Sequence, residues 1–211
     1  MQDTAAVTNE ILRKAKKWGA ELIIVGSRTS PSPNLTDYAG PVLKVAQKAH
    51  CSVRIARPSP RKDDSLIRFI IGFERADPVA QVVQSVAQRV WPQGSEAHLI
   101  AVRNVGPRDP KADSQLTTAL EQSAEELGAL GLQVSTAIRE GQAQDVLLQG
   151  ARERSVDCIF IDSDGMNHTL GDGFDRRGLS KSAVALVLGA NCSVEVVRPR
   201  YLIDQHLNPA A

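Results

Sequence analysis

Apolar residues recur along this chain at two intervals, and the intervals alternate. Over residues 4–18, Val7, Ile11, Leu12, Ala15 and Trp18 share one face of a helix, and Gly19 supplies the stop. Leu22 to Val25 is then a short unbroken apolar run, as in a strand buried on both faces. A second helix is expected over residues 38–49, with Pro41 accommodated in its first turn, followed by a strand from Ser52 to Ala56. Residues 58–66 are polar and punctuated by proline, the composition of a boundary.

Beyond that boundary the same alternation runs further. Arg68 to Phe73 reads as a strand, and helix 77–90 carries Val79, Val82, Val83, Val86 and Val90 as a buried stripe. Trp91-Pro92-Gln93-Gly94 stops it. Strands are expected at 97–103, 132–138, 157–162 and 192–197, with helices at 112–130, 143–154 and 180–190. Strands separated by helices cannot pair as hairpins, so the sheet is mostly parallel, with right-handed crossovers and helices on both faces. The fold class is therefore α/β, doubly wound. In such sheets ligands sit beyond the strand C-termini, so the loops after residues 73, 103 and 162 are the ones to watch.

The pattern also repeats. Ala49-His50-Cys51-Ser52-Val53-Arg54-Ile55-Ala56-Arg57-Pro58 returns as Ala190-Asn191-Cys192-Ser193-Val194-Glu195-Val196-Val197-Arg198-Pro199, offset by 141 residues. Glu21 to Gly26 returns as Asp157 to Asp162, offset by 136 residues. Residues 1–58 thus read as the C-terminal half of a unit, 59–66 as a linker, 67–199 as a complete unit and 200–211 as a tail.

Composition narrows the function classes. The chain has 211 residues, 42% of them hydrophobic but only 4% aromatic, so its core is built from Val, Ile, Leu and Ala. A formal net charge of +1 offers no basic surface for nucleic acid or an acidic membrane. No segment has the length of a membrane span or the apolar stretch of a signal peptide, which makes the cytoplasm the expected compartment. Cys51, Cys158 and Cys192 stand at apolar positions without a CxxC or a nearby histidine, as small buried side chains do. The four histidines, His50, His98, His168 and His206, share no ligand spacing, so no metal site is expected.

Taken in order, "WGAELIIVGSR", "RFIIGFERAD", "REGQAQDVLLQGARERSVDCIFI" and the pair "AHCSVRIARP" and "ANCSVEVVRP" resemble the universal stress protein family over almost the whole chain. The resemblance implies a five-stranded parallel sheet in the order 3-2-1-4-5, flanked by helices, with a half-copy of the same unit before it. It also implies a cytoplasmic stress-response protein that dimerises through the fifth strand. Many members bind adenine nucleotide; others act as regulatory or interaction proteins. The nucleotide-binding branch has an Asp after the first strand. After the fourth it has Gly-x-x-Gly, a spacer and Gly-Ser or Gly-Thr, whose backbone N–H groups and following helix cradle phosphate.

Both copies depart from that pattern. In the first, Gly26 fits, but Thr29 stands at the second glycine and Ala39-Gly40 at the final pair. In the second, Asp162 occupies the first glycine position, Gly165 fits the second, and Ser180-Lys181 aligns with the last pair. Glu74 takes the place of the Asp, one methylene longer. The loop carries Asp162, Asp164, Asp172 and Asp175 where a triphosphate would add negative charge. Each such contact near 4 Å costs on the order of 1–4 kcal/mol. Arg176, Arg177 and Lys181 could offset this, or Mg²⁺ could bridge Asp162 and Asp164 to phosphate, and Gly171, Gly173 and Gly178 still let the loop fold closely.

Ile159-Phe160-Ile161-Asp162-Ser163-Asp164-Gly165 also resembles the first motif of haloacid dehalogenase-type phosphatases. That chemistry needs a downstream Lys and an acidic pair for Mg²⁺. No adjacent acidic pair follows, and the motif falls at the fourth strand rather than the first.

The expectation is a regulatory or interaction protein with degenerate nucleotide loops and no turnover of its own. The alternative is an ATP-binding switch, with Mg²⁺ and slow hydrolysis. Its contacts would be Glu74, the Val102 backbone, Asp162, Gly165, Gly178, Ser180 and Lys181. The expected partner is a second copy, or the chain's own half-unit, through strands 52–56 and 192–197, besides other proteins. An unpaired edge on Leu22 to Val25 is a pairing liability, to be closed by a second chain or by sequence upstream of Met1.

Overall fold

The computed structural model describes residues 4–27, 35–61, 66–74, 76–103, 105–107, 109–163 and 179–198. In chain order these form α1 (Thr4–Lys17), β1 (Leu22–Gly26), α2 (Leu35–Lys48), β2 (Ser52–Ala56), β3 (Arg68–Phe73), α3 (Ala76–Ala87), β4 (Glu96–Arg103), α4 (Pro110–Ala129), β5 (Gln133–Glu140), α5 (Ala143–Arg154), β6 (Cys158–Asp162), α6 (Lys181–Gly189) and β7 (Ser193–Val197).

All seven strands belong to one sheet, in the order β1-β2-β7-β6-β3-β4-β5. From β5 to β7 every pairing is parallel, and the order is the expected third-second-first-fourth-fifth. The sheet is larger than the five strands expected of the complete unit, because β1 and β2 extend it past β7. Within that pair β1 runs parallel to β2, while β2 meets β7 antiparallel.

Alternation of side chains divides the core in two. Ile23, Val53, Ile55, Ile70, Ile100, Val102, Ile159, Val194 and Val196 point to one face and pack under α1, α2, α5 and α6. Phe69, Ile71, Phe73, Ala97, Leu99, Ala101, Phe160 and Val197 point to the other, under α3 and α4. Strands that are apolar at successive positions are thereby buried on both faces, as the unbroken runs predicted, except β1, expected to be of this kind, where Ile23 is buried on one face but Ile24 on the other is 60% exposed. Three aromatics cluster: Trp91 stacks on Phe69 at 4.5 Å between centroids, and Phe160 meets both rings edge-on.

Three local expectations change. Helix α2 begins at Leu35, so Pro41 lies inside it rather than in its first turn, where it costs a backbone hydrogen bond. Helix α3 ends at Ala87, so the valine stripe stops at Val86 and Val90 is 98% exposed. On α1 the buried positions are Thr8 and Ala15, with Ile11 and Leu12 partly covered; Val7 is exposed, and Trp18 is 74% exposed. Trp18 follows the last helical residue, and Gly19 turns the chain away at φ +61°.

Candidate functional site

The strand order reverses around β3, whose neighbours β4 and β6 lie on opposite sides, and the crevice of such a sheet opens beyond these strands' C-termini. Two carboxylates occupy that place. Glu74 follows the last residue of β3, and Asp162 is the last residue of β6. Burial and the nearby Asp162 charge raise the Glu74 pKa from its ordinary value to about 7. Arg103, the cation ending β4, is taken up by Asp113 of α4, Nη1 to Oδ2 2.9 Å.

The remaining expected residues are distributed as follows. The Val102 side chain is core, and its backbone lies in the β4–β5 ladder opposite Arg139. Ser180 caps α6, its side-chain oxygen accepting from Ala183 N–H at 3.0 Å, and Lys181 is exposed in the first turn. Gly165 and Gly178 lie outside the described residues, as do Thr29, Asp164, Gly171, Asp172, Gly173, Asp175, Arg176 and Arg177. The structure thus brings Glu74 and Asp162 together and keeps Ser180 and Lys181 at a helix N-terminus. Among the described residues, no group of three or more His, Cys, Asp or Glu side chains could hold a metal ion. Burial raises the Cys51 and Cys192 thiols to about 11 and lifts Cys158 as well, which disfavours the thiolate at neutral pH.

A second constellation lies where β2 meets β7. Their register pairs Val53 with Val196, Arg54 with Glu195 and Ile55 with Val194. Ser193 and Ser52, equivalent in the repeat, accept from the backbone N–H of Arg57 at 3.1 Å and of Arg198 at 3.0 Å. Arg57 Nη2 donates to the Val187 carbonyl at 2.5 Å, and Arg198 Nη2 to the Ala46 carbonyl at 2.7 Å. Each contact is the other's counterpart at the same 141-residue offset, so the two halves are related by a local two-fold.

At the centre of that two-fold, Glu195 is fully buried. It accepts from Arg54 Nε and Nη2, both at 2.8 Å, and from Arg89 of α3, Nη1 at 2.9 Å with Nη2 also in contact. Both guanidinium groups also lie over the Phe160 ring, at 5.7 and 5.1 Å from its centroid. The trio did not stand out in the sequence as a site. Its signal was there, since residue 54 and its repeat equivalent, residue 195, carry opposite charges.

No family model matches the sequence, and no curated protein matches it. Among solved structures the chain is similar to a universal stress protein from Archaeoglobus fulgidus DSM 4304, with a TM-score of 0.65 at 19% identity over 91% of this chain and 65% of that one. It is also similar to a protein provisionally classed as a universal stress protein from Pseudomonas aeruginosa UCBPP-PA14, with a TM-score of 0.63 at 14% identity over 93% and 69%. A shorter hypothetical protein, its function assigned from structure, matches 64% of this chain over 96% of its own, with a TM-score of 0.53 at 16% identity. The chain therefore has the universal stress protein fold, and spans about two thirds of the length of the first two structures. Among the described residues, no helix is long and apolar enough to cross a membrane.

Proposed function

We propose that this chain is a universal stress protein-type regulatory module of the cytoplasm, which works through contacts with other proteins and turns over no substrate. The observation that carries the reading is the pairing of Glu74 with Asp162 at the strand C-termini. Burial, with the neighbouring Asp162 charge, raises the Glu74 pKa to about 7, and the Asp162 carboxylate stands at a glycine position of the nucleotide-binding pattern, where its charge opposes phosphate. The seven-stranded fold with its internal two-fold supports the structural half of the reading.

A thermal-shift titration with ATP and Mg²⁺, and then with AMP, tests it. The expected result is no saturable shift for the natural chain, and a gain for Asp162→Gly. Ligand binding at a hundredfold excess over its dissociation constant would stabilise by about 2.7 kcal/mol. Such a shift in the natural chain would overturn the reading in favour of a nucleotide-responsive switch. That second reading is favoured by α6, which presents a capped N-terminus beside exposed Lys181, an arrangement suited to an anion.

A further inference from the structure

His98 and Ser135 lie 37 residues apart in the chain, yet the parallel register of β4 and β5 makes them partners. Partners in a ladder put their side chains on the same face of the sheet. His98 Nδ1 and Ser135 Oγ are 2.7 Å apart. The other ring nitrogen, Nε2, is buried and has no hydrogen-bond partner among the described residues. It stands 3.5 Å from Glu96 Oε2. That carboxylate favours a ring proton on Nε2, which leaves Nδ1 to accept from the Ser135 hydroxyl. The His98 side chain is largely buried, whereas Ser135, on the edge strand, is exposed.

Four elements bear on the imidazole. Glu96 comes from its own strand, Ser135 from β5 and Arg154 from α5, while Arg68 of β3 is paired with Glu96 at 2.9 Å. Burial, then the Arg154 charge, lowers the His98 pKa from its ordinary value; Glu96 opposes the shift and Arg68 adds to it. At pH 7 the ring is therefore neutral, with an unprotonated nitrogen directed at an exposed hydroxyl. A hydroxyl within hydrogen-bond reach of a base, with a third group behind the base, is the arrangement of an activated nucleophile.

From this we infer that Ser135 is an acylation site, its hydroxyl activated by His98 and its donor an acyl thioester. The inference goes beyond the regulatory reading and requires no turnover, since each chain is modified once. The Ser135 oxygen attacks the thioester carbonyl carbon while its proton passes to His98 Nδ1. The carbon–sulfur bond then breaks, and the departing thiolate takes the proton from His98, leaving an O-acylserine and a free thiol. Glu96 stabilises the imidazolium formed between the two steps. An acyl carbonyl is uncharged before attack, so Glu96 does not repel it, and the charge on its oxygen develops in the field of Arg68 and Arg154. A thiolate suits a single histidine as leaving group, because a thiol ionises at about pH 8.5, far below an alcohol.

Incubation of the intact chain with the acetyl thioester of N-acetylcysteamine, followed by peptide mass mapping over time, tests this. The expected result is one acetyl group on Ser135, formed roughly tenfold or more faster than on Ser114, an exposed serine of α4. Ser135→Ala should lose that label, and His98→Gln should slow it roughly tenfold or more. In the natural chain the rate should rise with pH and reach its plateau once His98 is neutral, below the pH at which an ordinary histidine titrates. Acetylation of Ser135 no faster than of Ser114 would overturn the proposal, whether or not His98→Gln folds. So would an undiminished rate in a folded His98→Gln chain, or a rate that keeps climbing well above neutral pH, which marks a serine that ionises without a base.

Discussion

Arg54 and Glu195 are the same position of an internal repeat, and they are also each other's register partners across the β2–β7 junction. Only a residue on the two-fold axis meets its own equivalent. In a symmetric dimer built through either strand, that position would set Arg against Arg or Glu against Glu. Opposite charges at this point make pairing within the chain better than pairing of either strand with a copy of itself.

Glu195 is also the counter-ion of Arg89, so removing it leaves two largely buried guanidinium groups uncompensated. Glu195→Ala should cost about 3–5 kcal/mol in urea unfolding, the usual range for breaking a buried ion pair from one side. Arg54→Ala should cost less, because Arg89 still neutralises Glu195. Equal costs would show that the two arginines are not interchangeable supports.

The Glu74 pKa near 7 makes stability depend on pH. The folded state holds this proton more tightly than the unfolded chain, so between about pH 4.5 and 7 the unfolded state binds fewer protons and stability falls as pH rises. After allowance for partial exposure, the loss is on the order of 1–2 kcal/mol. Melting temperatures at pH 5 and pH 8 should differ less for Glu74→Gln than for the natural chain. Asp162→Asn should also flatten the slope by removing the neighbouring charge.

Gly72 sits in β3 beneath α5, where an added Cβ would enter the van der Waals shells of Leu147 Cδ1 and Cδ2. Leu147 is fully buried and has little room to move. Gly72→Ala should therefore destabilise the fold by about 1–3 kcal/mol, as overpacking does. Combining it with Leu147→Ala should cost less than the sum of the single changes, which chemical denaturation can resolve.

Asp157 ties the segment before β3 to the sheet. Burial alone would raise its pKa, but hydrogen bonds from Ser59 at 2.6 Å, the Arg68 N–H at 2.8 Å and Arg61 at 2.5 Å hold it below the usual carboxylate range. This stability is present at neutral pH and is lost as pH falls through the depressed value. Asp157→Asn should cost about 1–3 kcal/mol at pH 7. The difference from the natural chain should shrink in acid, read as converging unfolding midpoints.

Sequence periodicity was enough to determine that this chain is α/β, which runs are strands, and that two segments repeat. Those conclusions rest on local rules: a strand buried on both faces must be apolar throughout, and a helix over a sheet must show an apolar stripe. The ends of elements were less legible. Val90 has the spacing of a core valine, but α3 stops at Ala87, and spacing carries meaning only while the helix continues. Trp18 fails for the same reason. The acidic character of the crevice could be read from Glu74 and Asp162 because Glu74 follows one strand and Asp162 ends another, and the fold class fixes the neighbours of both. What only the tertiary structure decided is the joining of the halves. A repeat offset cannot say whether β2 finds β7 of its own chain, but an antiparallel register can, since it alone sets Arg54 opposite Glu195 and brings Arg89 from a third element to complete the charge balance.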